Sequence, residues 1–289
     1  MTGESHDEAF VGKVAVVTGA GSGIGRALAV DLAGRGARLA VSDVDAEGLA
    51  RTARLCEARG ALVMYDRIDV TERDAIESYA AHVHSRFGIV HQIYNNAGIA
   101  YYGEVERAPY KDFERVLDVN FWGVVNGTKA FLPHLIESGD GHVVNVSSLF
   151  GLVAYPGQSA YTASKFAVRG FTEALAEEMA IAGHPVRVSC VYPGGIKTAV
   201  ARNATVVAGA DPASFARGFD DRLALHTPEM AARTVLDGVR GHRGRIVVGA
   251  EAKALDWVSR LTPLGARKCA ALLARLVPVT TLARGPHDT

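Results

Sequence analysis

Short runs of apolar, β-branched residues alternate along the chain with longer stretches in which apolar positions recur every three or four residues. Lys13–Val17 (KVAVV) is the first such run and ends in the glycine-rich TGAGSGIG. Short apolar runs bounded by turn residues read as buried strands, and the longer rhythm reads as helix. Ile24–Arg35 is then a helix stopped by Gly34 and Gly36, and Arg38–Ser42 a strand ending at Asp43. The same rhythm predicts a helix over Ala46–Arg59, a strand near Ala61–Tyr65, a helix over Glu72–Phe87 and a strand over Ile89–Tyr94. A long helix over Tyr110–Ile136, a strand His142–Val146, a second long helix over Ala160–Ala182 and a strand Pro185–Val191 follow. A helix over Pro228–Gly241 and a last strand, Arg245–Val248, complete the series. Strands that alternate with helices form βαβ units, in which the crossovers cover both faces of a parallel sheet. The expectation is one doubly wound α/β domain over residues 11–250, with about seven parallel strands, and a helical C-terminal extension over 251–289.

Composition narrows the function classes. Of 289 residues, 48% are apolar and 21% charged, enough for a sizeable core and too apolar for wholesale disorder. Lys plus Arg and Asp plus Glu both number 31, so the formal charge is zero and the basic excess of a nucleic-acid binder is missing. The three cysteines (Cys56, Cys190, Cys269) have neither disulfide-framework nor zinc-finger spacing, which suits a reducing compartment. The polar start MTGESHDEAF does not read as a signal peptide, and no run of 18 apolar residues is present. A soluble cytoplasmic protein is expected. From Ala252 onward, six bases face two acids, about +4 in all.

In an open parallel sheet, ligands sit beyond the carboxyl ends of the strands where the winding reverses. The first strand–helix turn reads Thr18, Gly19, Ala20, Gly21, Ser22, Gly23, Ile24, Gly25. Glycines let a backbone approach a pyrophosphate, and a helix N-terminus favours its charge. The spacing departs from G-x-G-x-x-G because Ile24 holds the sixth place, and no lysine follows as a P-loop requires. A tight turn without ligand fits the glycines alone. Asp43, 20 residues beyond Gly23 at a strand end, adds a carboxylate where an adenosine ribose offers two hydroxyls. With no base at Ser22 or Val44, a 2′-phosphate would meet uncompensated negative charge, so NAD is expected over NADP. Asp69 and Val70 follow the third strand, where the carboxylate serves either an adenine amino group or a helix N-cap.

Further motifs stand in register. Asn95-Asn96-Ala97-Gly98 follows the fourth strand and Asn120 lies in a long helix. Ser147-Ser148 follows the fifth strand; then come Tyr161-Thr162-Ala163-Ser164-Lys165 and Pro193-Gly194-Gly195-Ile196-Lys197-Thr198. Together with TGAGSGIG these resemble the classical short-chain dehydrogenase/reductase family, over roughly residues 11 to 250. The resemblance implies a Rossmann-type fold and NAD as cofactor. It implies Asn120, Ser148, Tyr161 and Lys165 as the catalytic set. Gly19, Gly21, Ser22, Gly23, Ile24, Gly25, Asp43, Asp69, Val70, Asn96, Ala97, Gly98, Tyr161, Lys165, Pro193, Gly194, Ile196 and Thr198 would contact the cofactor.

The residue chemistry agrees. Tyr161 and Lys165 are i and i+4, on one helix face. A phenol titrates near pH 10, too high for a base at neutral pH, but a nearby ammonium and an oxidised nicotinamide would lower it. Tyr161 could then take a hydroxyl proton during alcohol oxidation, or donate one during reduction. By resemblance Lys165 also binds the nicotinamide ribose, Asn120 holds a water in a proton relay, and Thr198 bonds the carboxamide; a helix N-cap is the plainer role for Thr198. Ser148 stands 13 residues before Tyr161, the family interval, and would hold the substrate oxygen. Ser147 is its neighbour and alternative, facing the other way in a strand. Among ten histidines there is no H-E-x-x-H, and His82 and His84 lie on different helix sides, so no metal is implied.

The segments 99–109 with Tyr101 and Tyr102, 150–156 (FGLVAYP) and 199–226, with Tyr192 at the mouth, suggest an apolar pocket for a lipophilic alcohol or ketone. Ala254, Trp257, Val258 and Leu261, then Cys269, Leu272, Leu273 and Leu276, fall at helical spacing in the basic tail. Such helices either lie weakly on a membrane surface or pack on the core or on a partner subunit. The resemblance implies a homodimer or homotetramer through the two long helices. Two other readings use the same fold: an NAD-binding regulator or scaffold without turnover, and an epimerase or dehydratase that retains its cofactor.

Overall fold

The computed structural model describes residues 9–262 apart from 199, 201–202, 210, 212, 214–216 and 218–223. From the N-terminal side, β1 (Val14–Thr18) leads to α1 (Gly23–Gly34), β2 (Arg38–Asp43), α2 (Ala46–Glu57), β3 (Val63–Arg67), α3 (Arg73–Phe87) and β4 (Gln92–Asn95). A two-residue strand β5 (Tyr101–Tyr102) precedes α4 (Tyr110–Leu117), a π-helical turn (Asp118–Trp122) and α5 (Gly123–Glu137). Then come β6 (Gly141–Val146), a 3₁₀ turn (Leu149–Gly151), α6 (Ser159–Ala182), β7 (Val186–Pro193) and β8 (Thr205–Val206). The last elements are α7 (Pro228–Arg240), β9 (Arg245–Val248) and α8 (Ala250–Leu261).

The main sheet has the order β3-β2-β1-β4-β6-β7-β9, with every neighbouring pair parallel. This is the doubly wound sheet expected from the alternating runs. Strand periodicity sorts its side chains into two layers. Ala15 and Val17 of β1 face Leu28 and Leu32 of α1 and Val235 and Leu236 of α7. Val14 and Val16 face Tyr79 and Val83 of α3, Phe131 and Leu135 of α5, and Leu175 and Met179 of α6. A fully buried side chain of this kind contributes roughly 1.5–3 kcal/mol. The caps follow local chemistry: Asp45 accepts from the Gly48 N–H ahead of α2, and Thr227 accepts from Met230 ahead of α7, with Pro228 at its first position. No helix among the described residues is long and apolar enough to cross a membrane.

Three features differ from the sequence expectation, and a fourth narrows it. The helix read as continuous over Tyr110–Ile136 is broken by the π turn around Asn120. Strands β5 and β8 form a separate two-stranded sheet that no alternating pattern announces. Tyr192, expected at a pocket mouth, is completely buried in β7, with the Arg245 guanidinium 4.5 Å from its ring centre. The start of the C-terminal extension is helical as expected, and of the placements open to its apolar stripe, packing on the core does not apply to Trp257 (68% exposed) and Leu261 (73% exposed), which face outward. Ala252 and Asp256 face inward instead, because Asp256 pairs with Arg245 at 2.5 Å and with Arg260 at 3.2 Å. Residues 263–289, including Cys269, Leu272, Leu273 and Leu276, lie outside the described residues.

Candidate active site

The winding reverses between β1 and β4, and the loops leaving β1, β4, β6 and β7 share one rim of the sheet. The β1 loop is glycine-rich for steric reasons. Gly19 has φ +65°, and a Cβ there would stand 2.7 Å from the Ala97 Cα. At Gly21 a Cβ would stand 2.8 Å from Asp43 Oδ2, the oxygen that accepts the Gly21 N–H at 2.7 Å. Gly25 packs directly on the Gly19 carbonyl and Gly23 on Thr198. Ser22 makes no side-chain cap and α1 has no acidic residue in its first turn, so its N-terminal partial charge is uncompensated. Ser22, Gly23 and Ile24 are partly exposed on this rim. These are the features an anionic dinucleotide needs, and the donor set fits one.

Asp43 is held rigidly: its second oxygen accepts the Asp45 N–H at 2.9 Å. Two arginines stand on the elements around it: Arg26, the base whose charge could compensate that of Asp43, and Arg67, which the sequence reading did not single out. Arg26 donates to Thr52 Oγ1 and to the carbonyls of Gly21 and Gly48, tying α1 to α2. Arg67 stands opposite Asp43 in the β2–β3 register and donates to the Val44 carbonyl at 3.1 Å. Asp69 is exposed and closes a local turn, accepting from the Thr71 N–H and hydroxyl at 3.0 and 2.8 Å. Val70 is buried, and its carbonyl accepts from Asn126.

The 95–98 loop is bolted to β1. Asn96 Nδ2 donates to the Thr18 and Gly19 carbonyls at 3.0 and 3.2 Å, and Thr18 Oγ1 accepts the Asn96 and Ala97 N–H groups. Beneath it runs a buried polar ladder across the sheet. Asn95 Nδ2 reaches Thr128 of α5 and Asn145 of β6, and Asn145 Nδ2 reaches Thr172 of α6. Asn145, Thr128 and Thr172 were not singled out in the sequence, where isolated polar residues in apolar runs carry no marker of a partner.

The structure brings Asn120, Ser148, Tyr161 and Lys165 together. Ser148, the last extended residue after β6, accepts from the Phe150 N–H at 3.1 Å, and its hydroxyl favours the ionised form of the Tyr161 phenol. Ser147 points the opposite way and donates to the Lys165 carbonyl at 2.8 Å. Lys165 Nζ is buried, donates to the Val146 carbonyl at 3.0 Å and lies 5.6 Å from the Tyr161 ring centre. Burial pushes the Lys165 ammonium down to about 8. Burial also pushes the Tyr161 phenol above its ordinary value, partly offset by Ser148. In the chain alone desolvation therefore outweighs the lowering expected from Lys165. Asn120 is fully buried and clamps Ile99, accepting its N–H at 2.8 Å and donating to its carbonyl at 3.0 Å and to Ser164 Oγ at 3.0 Å. A Cβ on Gly98 would fall 3.2 Å from Asn120 Oδ1 and 3.4 Å from Lys165 Nζ, so glycine keeps this junction open.

The β7 loop completes the rim. Pro193 ends β7, the Gly194 N–H continues the ladder to Val248 at 2.9 Å, and Ile196 and Thr198 are buried. Above Tyr161 lies an apolar roof: Tyr102 and Val206 of the small sheet pack with it, Phe150 meets its ring edge-on at 6.3 Å, and Tyr155 stacks on Phe150. Away from the rim, ligand atoms of His84, His134 and Glu137 lie within 4.8 Å of one another, a grouping that the His82–His84 spacing does not reveal.

Residues 13–206 match the short chain dehydrogenase family. SadH of Mycobacterium tuberculosis, which carries the name of an oxidoreductase, is 66% identical over 252 residues, spanning 87% of this chain and 91% of its own. The 2-(R)-hydroxypropyl-CoM dehydrogenase of Xanthobacter autotrophicus is 40% identical over 190 residues, 64% of this chain and 75% of that enzyme. A short-chain dehydrogenase/reductase from Burkholderia phymatum, crystallised in complex with NAD, superposes with a TM-score of 0.81 at 30% identity, covering 90% of this chain and 96% of that one. By its sheet order, its motifs in register and these relatives, the chain belongs to the classical short-chain dehydrogenase/reductase family of oxidoreductases.

Proposed function

We propose that this protein interconverts a lipophilic secondary alcohol and its ketone with NAD as the redox partner. The observation that carries the reading is the convergence of Ser148, Tyr161 and Lys165 beside the glycine loop, beneath an apolar aromatic roof. Bound on this rim, NAD supplies the hydride acceptor. Gly19 to Gly25 and the α1 N-terminus would hold its pyrophosphate and Asp43 its adenosine ribose. Asp69 and Val70 would flank the adenine. Asn96, Ala97, Gly98, Tyr161, Lys165, Pro193, Gly194, Ile196 and Thr198 would line the nicotinamide half.

Tyr161 is the general base in oxidation and the acid in reduction, and Ser148 holds the substrate oxygen. Lys165 keeps positive charge near the phenol and so favours its ionised form. Asn120 acts by fixing Ile99 and Ser164, which sets the floor under Tyr161. The Xanthobacter relative is by its name a dehydrogenase of a hydroxypropyl group, which supports a secondary alcohol as substrate class. NAD is favoured over NADP because Asp43 is immobilised by two backbone N–H groups and would repel a 2′-phosphate. The protein works in the cytoplasm as a homodimer or homotetramer; its buried thiols Cys56 and Cys190 suit a reducing compartment. A regulator without turnover has no need of the Ser148–Tyr161 pair, and an epimerase or dehydratase would release no NADH.

The test is NADH formation from NAD or NADPH from NADP across a panel of secondary alcohols of increasing chain length, in wild type and Tyr161→Phe. Wild type should turn over with NAD at least roughly tenfold better than with NADP, as expected for a charge-assisted contact to Asp43. Tyr161→Phe should bind NAD normally and lose roughly 10²–10⁴ in turnover. Unchanged turnover in that variant, or no reduction of either cofactor by any alcohol and no oxidation by any ketone, would refute the reading.

A further inference from the structure

The loop after β7 carries Thr198 against Gly23 of the β1 glycine turn, and it contains two adjacent glycines, Gly194 and Gly195. Such a loop keeps one shape only if something outside it holds it. The Gly195 carbonyl accepts the N–H groups of Leu225 and His226, and the Lys197 N–H donates to the His226 carbonyl at 2.9 Å. Ile196 and His226 thereby form an isolated parallel bridge. A single carboxylate from the C-terminal helix joins both arms. Glu251 Oε1 accepts the Gly195 N–H at 3.2 Å, and Glu251 Oε2 pairs with His226 Nε2 at 2.8 Å.

The surrounding sequence makes room for this carboxylate. A side chain at Gly194 or at Gly249 would collide with it, and Gly249 adopts φ +101° as β9 turns into α8. That turn places Glu251 in the first helical turn, over the loop. The helix itself is anchored one turn further on, where buried Asp256 pairs with Arg245 of β9. Arg245 also meets Glu173 of α6 at 3.5 Å. Helix α8 is thus a fixed post rather than a loose tail, and it lies beyond residues 13–206, which match the family.

We propose that Glu251, with His226, is a positioning residue: through it the C-terminal helix sets the loop that holds the nicotinamide half of the cofactor. The proposal rests on the cofactor assignment above. Glu251 acts through the Gly195 N–H and through His226, to which both its oxygens are committed.

The experiment compares calorimetric binding of NAD and of ADP-ribose, which lacks the nicotinamide, to wild type, Glu251→Ala and Glu251→Gln. Amide hydrogen exchange of residues 193–198 is followed in the protein without cofactor. Glu251→Ala should weaken NAD roughly tenfold, as loss of a charge-assisted bond would, and leave ADP-ribose within about twofold. The Gly195 and Lys197 amides should exchange faster while the β1 and β4 amides stay unchanged. Glu251→Gln retains an oxygen for the Gly195 N–H and should recover most of the NAD affinity. If Glu251→Ala does not fold, His226→Gln, which breaks the other half of the pair, enters the same comparison. Equal weakening of both ligands, or of neither, overturns the proposal while leaving the cofactor assignment standing. A wild type that binds neither ligand overturns both.

Discussion

Two adjacent serines leave β6 in opposite directions, and this alternation decides which one can serve chemistry. Ser147 Oγ is spent on the Lys165 carbonyl, and a side chain at Gly151 would run into it. Ser148 Oγ accepts only a local N–H, that of Phe150, and favours the ionised phenol of Tyr161. Ser148→Ala should therefore lower turnover by roughly 10²–10³, the cost of a lost donor at a developing charge, with little change in melting temperature. Ser147→Ala should instead cost about 1 kcal/mol of stability for one buried hydrogen bond and affect turnover far less. Steady-state rates and thermal melts of the two variants check this, and the opposite pattern would reassign the catalytic serine. The same economy governs Asn120, whose amide is committed to Ile99 and Ser164 rather than facing solvent.

At the level of elements, function sits where regular structure is interrupted. The π turn at Asp118–Trp122 adds a residue to the helix and turns Asn120 into the interior, a common use of such bulges. Strand ends carry a second interruption. His91 Nδ1 accepts the Val14 N–H at 3.1 Å, filling a position in the β1–β4 ladder that only an unprotonated nitrogen can fill. His142 of β6, bonded to Ser189 of β7, is pushed by burial down to about 3, and His91 is also lowered by burial. A depressed histidine contributes stability that is complete above its unfolded value near 6.5 and is lost as pH falls toward the folded value. For His142, unfolding free energy should thus drop between pH 6.5 and 4.5 by up to about 1.4 kcal/mol per pH unit. Denaturant titrations of His142→Gln should show a shallower acid slope than wild type, and parallel slopes would exclude His142 as a source.

For the molecule as a whole, exposed aromatics on the helical layer of α3, α5 and α6 bear on its assembly. Trp122 (42% exposed), in the π turn ahead of α5, and Phe166 (40% exposed), in α6, are two of them, and the Arg73 guanidinium of α3 sits 5.3 Å from the Trp122 ring centre. The family resemblance leads to the expectation that the two long helices pair with those of a second subunit, and exposed aromatics of this kind suit an interface core. Light scattering at micromolar concentration should report a homodimer or homotetramer, and Trp122→Asp should shift it to a smaller species. A monomeric wild type would refute the pairing.

Local chemistry in the sequence was enough to determine the alternation of strands and helices, the parallel sheet, the glycine turn ahead of α1 and the order of the catalytic motifs. Each of these depends on residues a few positions apart: period two or 3.6, a glycine where φ is positive, Tyr161 and Lys165 one helical turn apart. What the tertiary structure decided involves partners far apart in the chain. The Asn95–Asn145–Thr172 ladder, the small β5–β8 sheet over Tyr161, the burial of Tyr192 beneath Arg245 and the reach of Glu251 back to Gly195 are examples. The helix over Ala250–Leu261 shows the physical reason most clearly. Its apolar stripe at Trp257 and Leu261 left membrane, core and partner subunit open, and the side that meets the core is instead the one with Asp256, because a carboxylate paired with Arg245 is stable there and no window of local sequence contains that partner's position in space.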